Sequence, residues 1–296
     1  MHTRRRVFRI CHGGTVRTAL TLTLFLSIAS LAHAASHGPV FGLATPTNSQ
    51  GEWSLDFGAF GRTAATGSQV SLRELIGYGF TPHLTLSFTL PGVVGGATLP
   101  PTRIQPGSDF DSTLAWRFHH NTTKIGTRFE STAFAGLAVP GPQAAFPSFA
   151  QSSHTPGNTF GAVTGMASRS HYAWLGATFT HFYEHNGNQR PAVFDYSLVY
   201  GYRPPKWRTE SDKWDWRLFA ELVGERSGHF VQSGADLPGT EAHQVFLGPS
   251  ALGIYRNYTV SFGVQEPIYR NVGGVFPKER VRFAVNFSYL LFQHSH

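Results

Sequence analysis

"LTLSFTL" (Leu84–Leu90) and "FDYSLVYGYR" (Phe194–Arg203) decide the fold. In both, apolar and polar residues alternate with a period of 2, the signature of a β-strand whose two faces meet unlike surroundings. Outward from these stretches the same pattern recurs in segments of about ten residues from position 50 to the C-terminus. The connections between segments run short, long, short, long. Strands joined in this way are hairpins whose two ends face different environments, as in an all-β, single, antiparallel transmembrane barrel.

Twelve strands are expected, at 51–60, 70–80, 84–91, 109–119, 127–139, 159–168, 171–181, 194–203, 214–225, 243–255, 257–266 and 280–292. The connections at 81–83, 120–126, 169–170 and around Arg256-Asn257 are short. Those at 92–108, 140–158, 182–193, 226–242 and 267–279 are long and rich in Gly and Pro. The connection 61–69 is intermediate, and 204–213 is longer than its place in the alternation requires. With the short set in the periplasm, both ends of an even-stranded barrel lie there too.

One register carries Trp53, Leu55, Phe57, Leu86, Phe88, Trp116, Tyr196, Leu198, Leu218, Phe262, Phe283 and Phe287. The other carries Asp56, Asp111, Arg117, Arg128, Glu130, Asp195, Arg217, Glu221 and Arg282, with Asp109, Arg203 and Glu225. A basic residue facing lipid at the midplane costs roughly 2–4 kcal/mol. The apolar register therefore belongs to lipid, and the charged nine are the candidate channel-lining residues. Their mixed signs suggest cross-strand bracing, with Arg117 near Glu130 and Arg203 near Asp215 across their hairpins. A soluble sandwich with its apolar register inward has the same alternation. Aromatic residues near strand ends (Trp53, Phe80, Trp116, Tyr202, Trp214, Tyr258, Tyr289) and the export leader favour the membrane.

That leader opens with Arg4, Arg5, Arg6, Arg9 and Arg17. It continues through an apolar core (Thr18–Ala32) and ends at a small-x-small site, Ala32-His33-Ala34. The expected organisation is a cleaved signal peptide at 1–34, a periplasmic lead-in at 35–50, the outer-membrane barrel at 51–292 and a tail at 293–296. Five of the 24 basic residues and none of the 17 acidic ones fall in 1–34, so the remainder carries 19 against 17, a net of +2. The basic isoelectric point is thus largely the leader's and does not argue for nucleic acid. Cys11, the only cysteine, also goes with the leader, which excludes disulfides and thiol catalysis from the mature chain. The expected partners are outer-membrane lipid and lipopolysaccharide, the barrel-assembly machinery and a small-molecule solute. The last strand, "VRFAVNFSYLLF" (Val281–Phe292), alternates through Leu291, a partial match to the strand that such machinery reads.

Three stretches carry a family resemblance. They are "ELIGYGFTPHLTLSFTLP" (Glu74–Pro91), "DSTLAWRFHHNTTKIGTRFESTAFAGLAVPGP" (Asp111–Pro142) and "VFLGPSALGIYRNYTVSFGVQEPIYRN" (Val245–Asn271). They resemble the transporter-like outer-membrane family labelled for the meta-cleavage pathway of phenol degradation. The resemblance implies a channel-like outer-membrane protein for small solutes, aromatic compounds among them, and carries over no catalytic or binding residue.

No enzyme is expected. Gly-x-Ser-x-Gly is absent, and the mature chain holds no His-x-Ser pair; the terminal His294-Ser295-His296 is not that pattern. The carboxylate pairs Asp109/Asp111 and Glu221/Glu225 lie along one wall rather than across a cleft. His119, His120, His181 and His185 read as turn histidines, so neither metal nor cofactor is expected. Two functions of different class stand: a passive channel for small, apolar or aromatic solutes, and a non-conducting structural or surface-interaction barrel. The loop 140–158 holds Phe146 and Phe149 among small residues and is expected to fold inward as a constriction.

Overall fold

The computed structural model of the chain describes residues 38–94, 99–100, 109–140, 155–208 and 213–292. Twelve antiparallel strands close into one barrel: β1 (Glu52–Ala64), β2 (Gly67–Thr81), β3 (Leu84–Val94), β4 (Asp109–Thr122), β5 (Arg128–Pro140), β6 (Gly157–Ala167), β7 (His171–Phe182), β8 (Val193–Tyr202), β9 (Asp215–Ser227), β12 (Ala242–Tyr255), β13 (Tyr258–Val272) and β14 (Glu279–Phe292). The remaining two, β10 (Val231–Gln232) and β11 (Ala235–Asp236), pair with each other in the β9–β12 connection. Each strand of the wall pairs with its neighbour in sequence, and β1 pairs with β14 to close it. Closure removes every free edge, which a sheet in hydrocarbon requires.

Alternation places all twelve strands, with two connections corrected: 267–279 shortens to 273–278, because β13 runs on to Val272 and β14 begins at Glu279. The expected connection 61–69 shrinks to Ala65-Thr66, because β1 runs on to Ala64 and β2 begins at Gly67. Gly67, at φ +140°, supplies the backbone conformation that lets so short a hairpin close.

The apolar register faces out. Phe57 is 50% exposed, Leu198 53% and Leu175 58%, whereas Asp195, Glu221 and Arg282 are 0% exposed in the lumen. At the short-turn end, aromatic groups cluster on the outer surface: Trp214 stacks on Trp216 and Tyr255, and Tyr258 lies against Tyr289. This apolar belt with its aromatic girdle is the surface that a lipid-facing wall presents.

Glu74 is an outward position that breaks the belt. It is exposed at the middle of β2, in register with Phe57 on β1 and Leu90 on β3. Acidic residues facing hydrocarbon cost less than the roughly 2–4 kcal/mol of a basic one, but still a positive amount. Glu74→Leu is therefore expected to stabilise the folded barrel by about 1–2 kcal/mol. The urea midpoint in lipid vesicles measures this, and an unchanged or lower midpoint would mean that Glu74 does not face lipid.

Candidate functional site

The lumen is occupied by the chain itself. The segment "GPVFGLATPTNSQ" (Gly38–Gln50) runs up inside the barrel from the short-turn end. Two prolines and many small residues keep it out of regular structure, so its backbone N–H groups must find partners on the wall. Glu221 on β9 supplies three of them. Its Oε1 accepts from Val40 N at 2.9 Å and from the Ser250 hydroxyl, and its Oε2 accepts from Phe41 N at 2.8 Å and Gly42 N at 2.6 Å. Successive N–H groups converging on one carboxyl form an anion nest.

Below it, Leu43 N donates to Ser197 Oγ at 2.9 Å. Thr45 is held three ways: its hydroxyl donates to Glu130 (3.1 Å) and accepts from Trp174 Nε1 (3.0 Å), while Thr132 Oγ1 donates to its carbonyl (2.7 Å). Asn48 N donates to Thr85 Oγ1 at 2.8 Å and Asn48 Nδ2 to Ser54 Oγ at 3.0 Å. The acceptors and donors come from β1, β3, β5, β7, β8 and β9, so the segment crosses the lumen and touches most of its circumference.

Two apolar side chains anchor it. Phe41 is buried with Phe60, Val223 and Ala284, and Leu43 with Val163, Trp174, Val199 and Phe219. Gly42 passes so close to Val199 that a Cβ there would clash, and Gly79 on β2 leaves room for the backbone of Ser49 in the same way. The lead-in expected in the periplasm is therefore luminal over residues 38–50. It carries no charged side chain, and the wall offers it carboxyl and hydroxyl partners that water would otherwise have to replace.

All nine charged residues assigned to the lumen lie on the inward register, in three groups. At the long-loop end Arg282 bonds Glu225 (2.6 and 2.5 Å) and Glu279 (2.9 and 3.0 Å), and its guanidinium lies 3.5 Å from the centre of the Phe246 ring. Glu279 also pairs with Arg62 and accepts from Gln244 at 3.0 Å. In the middle, Glu221 holds the luminal segment and Asp195 accepts from Thr178 at 3.3 Å. Asp56 accepts from Ser288 and, with Asp111, opposes Arg73 electrostatically.

At the short-turn end Arg117 reaches Glu130 at 3.1 Å, and Arg128 stands 3.8 Å from the same carboxyl. Asp215 there takes Arg203 at 2.7 Å and Arg217 at 3.4 Å. A bulge at Arg117/His119 leaves Phe118 and His119 exposed and brings His120 to 3.6 Å from Glu130.

Sequence reasoning missed Arg62, Arg73, Glu279 and Arg190. Arg62, Glu279 and Arg190 fell in segments read as connections; Arg190 in fact holds Asp109 at 2.9 Å. Arg73 follows the odd inward register of β2 and could have been read from it. Phe146 and Phe149, the expected constriction, lie outside the described residues, as do the leader and the tail 293–296. Among the described residues no three His, Cys, Asp or Glu side chains gather as a metal site.

No family model matches the chain, and no curated protein does. Among solved structures, the COG4313 outer membrane channel from Pseudomonas putida F1 resembles it with a TM-score of 0.58 at 11% identity, over 83% of this chain and 98% of that one. OccAB2 of Acinetobacter baumannii gives a TM-score of 0.38 at 12% identity, over 79% of this chain and 59% of that one. OccK2 of Pseudomonas aeruginosa, in complex with glucuronate, gives 0.37 at 10% identity, over 81% and 98%. The first shares the barrel fold with this chain; the other two are too distant in structure to carry an argument.

Proposed function

We propose that the protein is an outer-membrane channel, not an enzyme, that passes small solutes by diffusion and is closed at rest by residues 38–50. The observation that carries this reading is the way the segment is held. It contributes no strand to the wall, and the side chains beside it form their own surface. With the segment withdrawn, the uncovered wall presents Phe60, Val163, Trp174, Val199, Phe219 and Val223. Such a surface suits apolar and aromatic solutes, the class to which the family resemblance points. Twelve strands leave a lumen between the side-chain-filled barrels of eight strands and the wide pores of sixteen. One extended segment can fill a space of that width.

The same filled lumen favours a second reading, a non-conducting structural barrel that the segment stiffens. Deleting residues 38–48 separates the two. In planar bilayers the folded deletion variant is expected to conduct several-fold more than the full chain, and vesicles holding it to take up small aromatic solutes faster. A folded variant that conducts no better than the full chain would leave the structural reading in place.

A further inference from the structure

We propose that the short-turn end of the lumen, periplasmic in the orientation above, holds a binding site for a small aromatic carboxylate. A cavity of about 410 Å³ opens there between the wall and the base of the luminal segment at Pro46 and Thr47. Its volume lies in the range of small-molecule sites. The inference rests on reading the lumen as a solute path, and it names the solute class that this end would recognise.

Charge comes first. Arg117, Arg128 and Arg217 reach the cavity from three different strands. The carboxyls beside them are already shared. Glu130 lies within 4 Å of Arg117, Arg128 and His120 and also accepts from Thr45, while Asp215 serves both Arg203 and Arg217. Four guanidiniums thus draw on two carboxyls. The Nε–H groups of Arg117 and Arg217 are buried without a hydrogen-bond partner. A guanidinium offers a planar fork that fits a carboxylate edge-on.

Shape comes second. Tyr172 and Trp174 line the same cavity, stacked at 5.6 Å with 17° between their planes. The guanidinium of Arg217 lies 5.4 Å from the Tyr172 ring centre. Cation and aromatic wall therefore meet at one point, where a single-ring acid could lay its ring along the aromatic wall and turn its carboxylate to the arginines. A neutral phenol would gain the ring contact alone, and acetate the charge alone.

Equilibrium titration of the detergent-purified full chain with benzoate, phenol and acetate, at one ionic strength, tests this. Benzoate is expected to bind saturably at one site, with phenol and acetate each weaker by about tenfold or more. Arg217→Gln is expected to weaken benzoate by about tenfold. Arg128→Gln, whose side chain is 49% exposed and so least needed for folding, is expected to weaken it several-fold. Heat-modifiable gel migration confirms that each variant is folded. The proposal is overturned if benzoate does not saturate, if phenol or acetate binds as well as benzoate, or if both folded variants bind like the wild type. Titration needs no conduction, so its failure would leave the channel reading standing. A barrel that binds benzoate but never conducts would sink the channel reading and keep the site.

Discussion

Glu221→Ala is expected to loosen the luminal segment while leaving the wall intact. The backbone amides of Val40, Phe41 and Gly42 and the hydroxyl of Ser250 all donate to this one buried side chain. A buried donor left without an acceptor costs about 1–3 kcal/mol, so three amides lose several kcal/mol of attachment together. Even about 3 kcal/mol raises the detached population more than a hundredfold. The wall should persist, because β9 is held to β8 and β12 by backbone pairing along its length.

The chain lends itself to a direct measurement, since its only cysteine is Cys11. An Ala44→Cys reporter in the luminal segment, on a Cys11-free background, should react with a polar thiol reagent at a rate that follows the detached population. Labelling is expected to accelerate by about a hundredfold in Glu221→Ala. It should not change in Ser71→Ala, which removes another buried luminal group that makes no bond to the segment. Equal labelling in both variants would show that Glu221 does not hold the segment closed.

What could be read beforehand, and what could not, follows from the range over which each force acts. Strand faces were legible because alternation is local: within Phe194–Tyr202 every second residue is apolar, and lipid rejects the charged register. Pairs across one hairpin were legible for a related reason. Arg117 and Glu130 flank the short 120–126 turn, and Arg203 and Asp215 flank the longer 204–213 connection at the same end, so hairpin register brings each pair together. The Arg282–Glu225 pair was not, because β13 and β12 stand between their strands and only the curvature of the closed wall makes them neighbours.

The luminal segment was the least legible part. "GPVFGLATPTNSQ" has no periodicity and no charged side chain that announces a partner. Val40 and the Glu221 carboxyl that it meets are 181 positions apart. Glu221 itself was placed in the lumen but read as half of a salt bridge. Its partners turned out to be a serine hydroxyl and three amides, which every residue but proline carries and which no sequence pattern marks.

Arg282→Ala is expected to be the most destabilising single change in the barrel wall. The side chain is wholly buried and makes four hydrogen bonds, two to Glu225 and two to Glu279. Its guanidinium also covers the face of Phe246. Removing it takes this cation from the buried carboxyls of Glu225 and Glu279, while Arg62 still pairs with Glu279. Breaking one side of a buried ion pair typically costs 3–5 kcal/mol, because the remaining charge keeps its desolvation penalty and loses its compensation. The loss should appear as a lower urea midpoint and as faster unfolding from the long-loop end, where β14 begins. If the penalty is the stranded carboxyl rather than the missing contact, removing that carboxyl should relieve it. Arg282→Met with Glu225→Leu is therefore expected to recover at least half of the loss, since apolar groups of similar volume often replace a buried pair at little cost. A single variant that loses less than about 1 kcal/mol would mean that water reaches these carboxyls. A double variant no better than the single would mean that packing on Phe246, and not charge, holds β9 and β14 together across the two strands between them.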